Sequence, residues 1–294
     1  MKKKLLISFS GGRTSAYMTK MLLDNFQDIY EMIVVFANTG REREETLEFV
    51  RECDKRWNFN TIWVECEPKK EMGKGVQAKV VTFKTASRNG EPFKKMIQKY
   101  GIPNVQAPMC TRILKNQTIR TYMREQGYKK YFTAIGIRYD EIDRINPNHK
   151  KERIIYPFIS MYPTKKSDVN LFWSKQDFDL RLKSYEGNCD VCFKKSLRKL
   201  LTIANENPEL FDWWQDIETE FENFMPKSRS TNNITFPLRI FRDNLSVKQI
   251  LIMSKEFTHF ARDDSKDIDK YKQLELFQYE LDVSNGCTES CEPF

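Results

Sequence analysis

The sequence predicts an α/β protein: a doubly wound, mostly parallel sheet followed by a helical C-terminal region. Three observations carry this expectation. Residues 4–9 and 32–37 are short, nearly continuous apolar runs, as strands covered on both faces read, and residues 14–25 between them carry apolar side chains at helical spacing. Strand-like and helix-like stretches go on alternating to residue 137, the pattern of βαβ units. From about residue 165 the periodicity turns mostly helical. The expected division is an α/β domain over 1–165 and a mainly helical, cysteine-containing region over 166–294 that completes the site.

Taken in order, Leu5-Leu6-Ile7-Ser8-Phe9 is the first strand, and Ser10-Gly11-Gly12-Arg13-Thr14-Ser15 is the turn that leaves it. Ala16, Tyr17, Met18, Met21, Leu22 and Leu23 make the apolar face of the helix over 14–25. Met32 to Ala37 is the second strand. A helix over 41–57 sets Glu44, Glu45 and Glu48 beside Leu47, Phe49, Val50 and Trp57. Residues 61–66 alternate as a strand, 112–126 read as a helix and 131–137 as a further strand. Helices are expected over 168–184, 192–206, 208–224, 246–260 and 266–281, with 226–236 linker-like and 284–294 a short polar tail. Ligands of such sheets bind at the carboxyl ends of strands, where the Ser10 loop falls.

Composition narrows the partners. A chain of 294 residues buries a substantial core, and 40% hydrophobic with 31% charged side chains fits a globular protein. The longest apolar runs fall far short of the roughly 20 residues of a membrane span. The basic start Met1-Lys2-Lys3-Lys4 runs into a strand-sized segment and a turn motif, not a cleavage site, so a cytoplasmic protein is expected. A formal charge of +8 suits anionic partners: a nucleotide, a sulfate ester or nucleic acid. No arginine-rich run singles out nucleic acid.

Two glycines between a strand and a helix build an anion cradle, because the backbone approaches an oxyanion closely and helix-start N–H groups point at it. Ser10–Ser15 fits neither the G-x-x-x-x-G-K-[ST] nor the G-x-G-x-x-G spacing. Asn38-Thr39-Gly40 ends the second strand, with groups suited either to a ribose or base edge or to an ordinary cap and turn. Gly136-Ile137-Arg138, followed by Arg144, stands at a third strand end. An arginine fork there donates to sulfate or phosphate oxygens. Cys53 and Cys66 lie within apolar or helical pattern and read as small buried hydrophobes. Cys189-x-x-Cys192 has the spacing that lets two thiolates face one metal, and Cys110, Cys287 and Cys291 are the remaining candidates. Disulfides are the competing reading, rare in a reducing compartment. The only histidines, His149 and His259, are not beside a cysteine, so a metal would be held by sulfur, which suits zinc or an iron–sulfur cluster.

In order along residues 4–225, these motifs resemble the PP-loop superfamily, and within it the PAPS/APS reductase-like families. The residues are S-G-G-x-x-S at 10–15, N-T-G-x-E-x-x-E-T at 38–46, C-T-x-x-L-K at 110–115 and G-I-R-x-x-E-x-x-R at 136–144. Gly187-Asn188-Cys189-Asp190-Val191-Cys192-Phe193 and Asp212-Trp213-Trp214 are similar to a phage and bacterial branch. The resemblance implies an adenine nucleotide (PAPS, APS or ATP) held by Ser10, Gly11, Gly12, Arg13, Thr14, Ser15, Asn38, Thr39, Gly40, Lys115, Gly136, Arg138 and Arg144. It implies a [4Fe–4S] cluster, with Zn2+ as the alternative, on Cys110, Cys189, Cys192 and a tail cysteine, Cys291 or Cys287. Met109 stands where relatives carry the other half of a tandem cysteine pair. The implied reaction is reduction of a sulfonucleotide to sulfite, with Cys287 or Cys291 as nucleophile and a thiol reductant such as thioredoxin. The E-C-G-L-H element that carries the nucleophile in such reductases is absent. Arg13-Thr14 stands where ATP pyrophosphatases often have Lys-Asp, which weakens a magnesium–ATP reading. The alternatives are an ATP-dependent sulfurtransferase or adenylating enzyme acting on nucleic acid or a metabolite, and a non-catalytic nucleotide-sensing module.

Overall fold

The computed structural model describes residues 2–69, 71, 73–229 and 235–268. Its sheet holds β1 (Lys3–Ser8), β2 (Tyr30–Asn38), β3 (Ile62–Pro68), β4 (Val76–Val81), β5 (Phe132–Ala134) and β6 (Ile154–Ile155), in the order β4-β3-β2-β1-β5-β6. All neighbours are parallel except β3 and β4. β1 is central because Leu5, Leu6 and Ile7 form one unbroken apolar run, and all three are fully buried.

Helices cover both faces. α1 (Arg13–Asn25) and α2 (Glu44–Trp57) follow β1 and β2, and α3 (Glu91–Tyr100) follows β4. A π-helix over Cys110–Gln117 runs directly into α4 (Thr118–Glu125) ahead of β5. The short α5 (His149–Glu152) and α6 (Pro157–Ser160) flank β6. α7 (Lys166–Trp173), α8 (Leu197–Glu206), α9 (Asp212–Phe221) and α10 (Val247–Glu256) complete the helical region. Alternate residues of β1 sort to opposite faces: Leu5 and Ile7 pack with Ala16, Leu47, Val169 and Trp173, while Leu6 packs with Ile119, Tyr122 and Met123. A further core joins Phe93, Met109 and Ile113 to Val191, Leu200, Trp214 and Ile250, so apolar contacts bind the segments on either side of residue 165.

Several expectations are corrected. The helix expected over 168–184 stops at Trp173, and the chain beyond it turns back so that Leu180 and Leu182 face a cavity. The segment expected as a helix over 112–126 begins two residues earlier and in π geometry. β4, β6 and α3 were not anticipated. β4 has mixed burial at the sheet edge and β6 is two residues long, so neither leaves a period in the sequence. Most of the helix expected over 266–281, and the whole of the 284–294 tail with Cys287 and Cys291, lie outside the described residues. No described helix is long and apolar enough to cross a membrane.

Candidate nucleotide site

Strands are added on one side of β1 from β2 to β4 and on its other side from β5 to β6, and the parallel ends of β1 and β5 open into one crevice. Gly11 leaves β1 at φ +80°, where a Cβ would sit 2.7 Å from the Thr46 side chain, so only glycine turns here without strain. Gly12 caps α1 with no side-chain hydrogen bond, and the first turn of α1 holds no acid. The helix therefore presents its first N–H groups and positive dipole end to the crevice. The Ser15 hydroxyl donates to the Gly12 carbonyl at 3.0 Å, so the Ser10 hydroxyl, 2.8 Å away, is the donor to Ser15 Oγ. Gly136 packs its Cα against this point: a Cβ there would lie 3.2 Å from Ser15 Cα.

Ser10, Gly12, Arg13, Thr14, Ser15 and Arg138 line one cavity, together with Lys166, Lys183, Asn188 and the apolar Val169, Leu180 and Leu182. Four cations and no carboxylate are among its described lining residues. Carboxylates behind the wall hold the cations in place. Arg13 bonds the Asn170 side chain at 3.1 Å and the Ser265 carbonyl at 2.7 Å, and pairs with Asp179 at 3.0 Å. Burial pushes the Asp179 carboxyl up and Arg13 pulls it back. Arg138 pairs with Asp140 at 3.1 Å and with Glu141 at 3.5 Å. Glu141 is buried and also holds Arg144 at 2.7 Å. Arg144 is not among the residues lining the cavity, and neither are Gly11, Asn38, Thr39, Gly40, Lys115 and Gly136.

Those residues build the scaffold around it. The buried Asn38 amide donates to Glu65 at 2.7 Å and to the Ser87 carbonyl at 2.9 Å, and accepts from Gly40 N–H. Gly40 turns at φ +81°. Glu42, which sequence reasoning gave no role, accepts from the Thr39 amide at 2.8 Å and the Thr39 hydroxyl at 2.9 Å. Its fully buried side chain pairs with Lys115 at 3.8 Å and accepts from the Cys189 thiol at 3.9 Å. Arg41, next to it, pairs with Asp190 and stacks over Trp213. The cysteine loop is thereby stitched to the loop after β2.

Cys53 and Cys66 are buried, as their patterns predict, and burial raises both thiols, Cys66 to about 11. Cys110, Cys189 and Cys192 are half-buried. Cys110 starts the π-helix that carries Lys115, and Thr111 beside it accepts from Lys194 at 3.0 Å, which brings the Cys189-x-x-Cys192 loop near that helix. Met109 is a core side chain packed with Val191 and Phe193. Among the described residues, no three or more histidines, cysteines or acids group as ligands for a metal ion. Of the four expected ligands, Cys110, Cys189 and Cys192 are described, and Cys291 lies outside the described residues.

Comparison with known proteins agrees with this geometry. The phosphoadenosine phosphosulfate reductase domain matches residues 4–155. The uncharacterized nin region protein ORF290 of Escherichia phage lambda is 29% identical over 98% of this chain and 94% of its own length. Two uncharacterized proteins of Methanocaldococcus jannaschii, MJ0973 and MJ0066, are 26% and 23% identical over 73% and 75% of the chain, which spans 47% and 42% of their lengths. The matched residues run from the first strand through the Gly-Gly loop, the π-helix and the Arg138 loop to the last strand of the sheet, and the chain belongs to the phosphoadenosine phosphosulfate reductase domain family.

Proposed function

We propose that this chain binds an adenine sulfonucleotide in the crevice between β1 and β5 and reduces it to sulfite. The observation that carries the reading is the cavity itself. An uncapped helix start, a paired Ser10–Ser15 hydroxyl set and Arg138 converge on it, in a lining whose described residues hold no carboxylate. Such a lining suits a phosphate or sulfate group whose charge is balanced by side chains and helix N–H groups. Val169, Leu180 and Leu182 offer an apolar wall for a base or ribose.

In this reading a tail thiolate, Cys287 or Cys291, attacks the sulfate sulfur. An S–S bond forms as the S–O bond to the nucleotide phosphate breaks, and the electron pair leaves with the phosphate oxygen. Arg138 and the α1 N–H groups stabilise that developing charge. A second thiol then attacks the S-sulfo cysteine, releasing sulfite and leaving a disulfide, which a dithiol protein such as thioredoxin reduces. The [4Fe–4S] or zinc reading of Cys110, Cys189, Cys192 and Cys291 enters no step.

The test supplies PAPS or APS with thioredoxin and its reductase and assays sulfite. Sulfite release that is lost on alanine substitution of Cys287 or Cys291 is expected. AMP and pyrophosphate formed from ATP in place of sulfite would overturn the reading in favour of an adenylating enzyme.

A further inference from the structure

Asn188 stands outside the residues matched by the reductase domain, yet it touches the Gly-Gly loop directly. Its side-chain amide donates to the Ser10 carbonyl at 2.9 Å, and it lines the cavity beside Gly12. A Cβ on Gly12 would lie 3.4 Å from that same amide. The Asn188 backbone carbonyl accepts from the Arg43 amide at 2.8 Å and from the Thr46 hydroxyl at 3.3 Å, at the start of α2. The next residue, Cys189, forms an antiparallel bridge with Glu42, which holds Thr39 and Lys115.

We propose that Asn188 is a positioning residue for the nucleotide's anionic group, joining the Gly-Gly loop to the Cys189-x-x-Cys192 loop so that occupancy of one is felt by the other. The inference rests on the nucleotide reading above. Fixing the Ser10 carbonyl fixes the plane of the Ser10–Gly11 peptide, and with it the Gly11 N–H, which lies in that plane and points the opposite way. The same bond holds Ser10 where its hydroxyl reaches Ser15. Without the Asn188 donor, the Ser10 carbonyl loses its side-chain partner and the loop samples other peptide orientations. A ligand that grips the loop tightens this contact, and the contact runs straight into the backbone of Cys189.

The test compares wild type, Asn188→Ala and the uncharged, similarly sized Asn188→Leu, using AMP and adenosine as probes in titration calorimetry. Hydrogen–deuterium exchange is followed over residues 186–196. The expected result is AMP affinity about tenfold weaker in both variants, with adenosine, which lacks the phosphate, held within about twofold. AMP slows exchange over 186–196 in wild type, and this protection is lost in the variants. Equal loss of AMP and adenosine would show a general lesion and overturn the proposal, as would variants that bind AMP like wild type. Wild type that binds neither probe removes the nucleotide reading itself, an outcome distinct from wild-type binding that survives substitution.

Discussion

Glu141 is the carboxylate that ties Arg138 to Arg144 in the loop after β5. Arg138 is legible in the sequence as an anion-binding fork, and Glu141 and Arg144 as members of the G-I-R-x-x-E-x-x-R element, a pattern that does not report which side chains pair. In the structure Glu141 is buried and touches both guanidinium groups, and its other oxygen receives the Arg138 amide at 3.3 Å. Removing it leaves two half-buried cations facing each other. Glu141→Ala is therefore expected to lower stability by about 2 kcal/mol, read as a shift in urea midpoint, with Glu141→Gln costing less. An unchanged midpoint would show that the pair is solvated. Asn188 and Glu42 fall within the quoted motifs, but what they hold was not legible, for a related reason. The Ser10 partner of Asn188 and the Lys115 and Cys189 partners of Glu42 lie far along the chain, and a polar residue in a loop gives no period to read.

Among the elements, β1, β2, β3, α1 and α2 were legible because each buries a continuous or strongly periodic apolar face. The π-helix at Cys110 was read as ordinary helix. Its wider turn belongs to backbone hydrogen bonding, which side-chain periodicity does not report, and π geometry often marks functional sites. Packing among the C-terminal helices has its own polar key. Glu218 on α9 accepts from the Val247 amide at the start of α10 at 2.9 Å, and its Oε1 has no hydrogen-bond partner among the described residues. Burial holds this carboxyl above its ordinary value, against the pull of the Val247 amide and Arg239. Folding therefore takes up a proton in the window from the unfolded carboxylate pKa of about 4.3 up to the raised folded value. The Glu218 contribution is fully present below that window and is lost as pH rises through it. The urea midpoint of wild type relative to Glu218→Gln is expected to fall with rising pH across the window and then level off. A relative midpoint that rises with pH would contradict the assignment.

At the scale of the whole molecule, the site is assembled from two stretches of chain. The reductase-domain residues supply the cradle, the Arg138 loop and the π-helix. Residues beyond 155 supply Lys166, Asn170, Lys183, Asn188 and the Ser265 carbonyl that Arg13 reaches. The fold class was readable from alternating apolar runs, and the cradle from two glycines at a strand end. The closure of the cavity was not, since it depends on the chain turning back after Trp173. The proposed site requires an adenine nucleotide whose anionic group sits between the α1 start and Arg138. Calorimetric titration of AMP and PAPS into wild type and Arg138→Ala tests this most directly. It predicts saturable binding to wild type, weakened by about tenfold to a hundredfold in the variant. Absence of binding to wild type, or equal affinity in the variant, would contradict it.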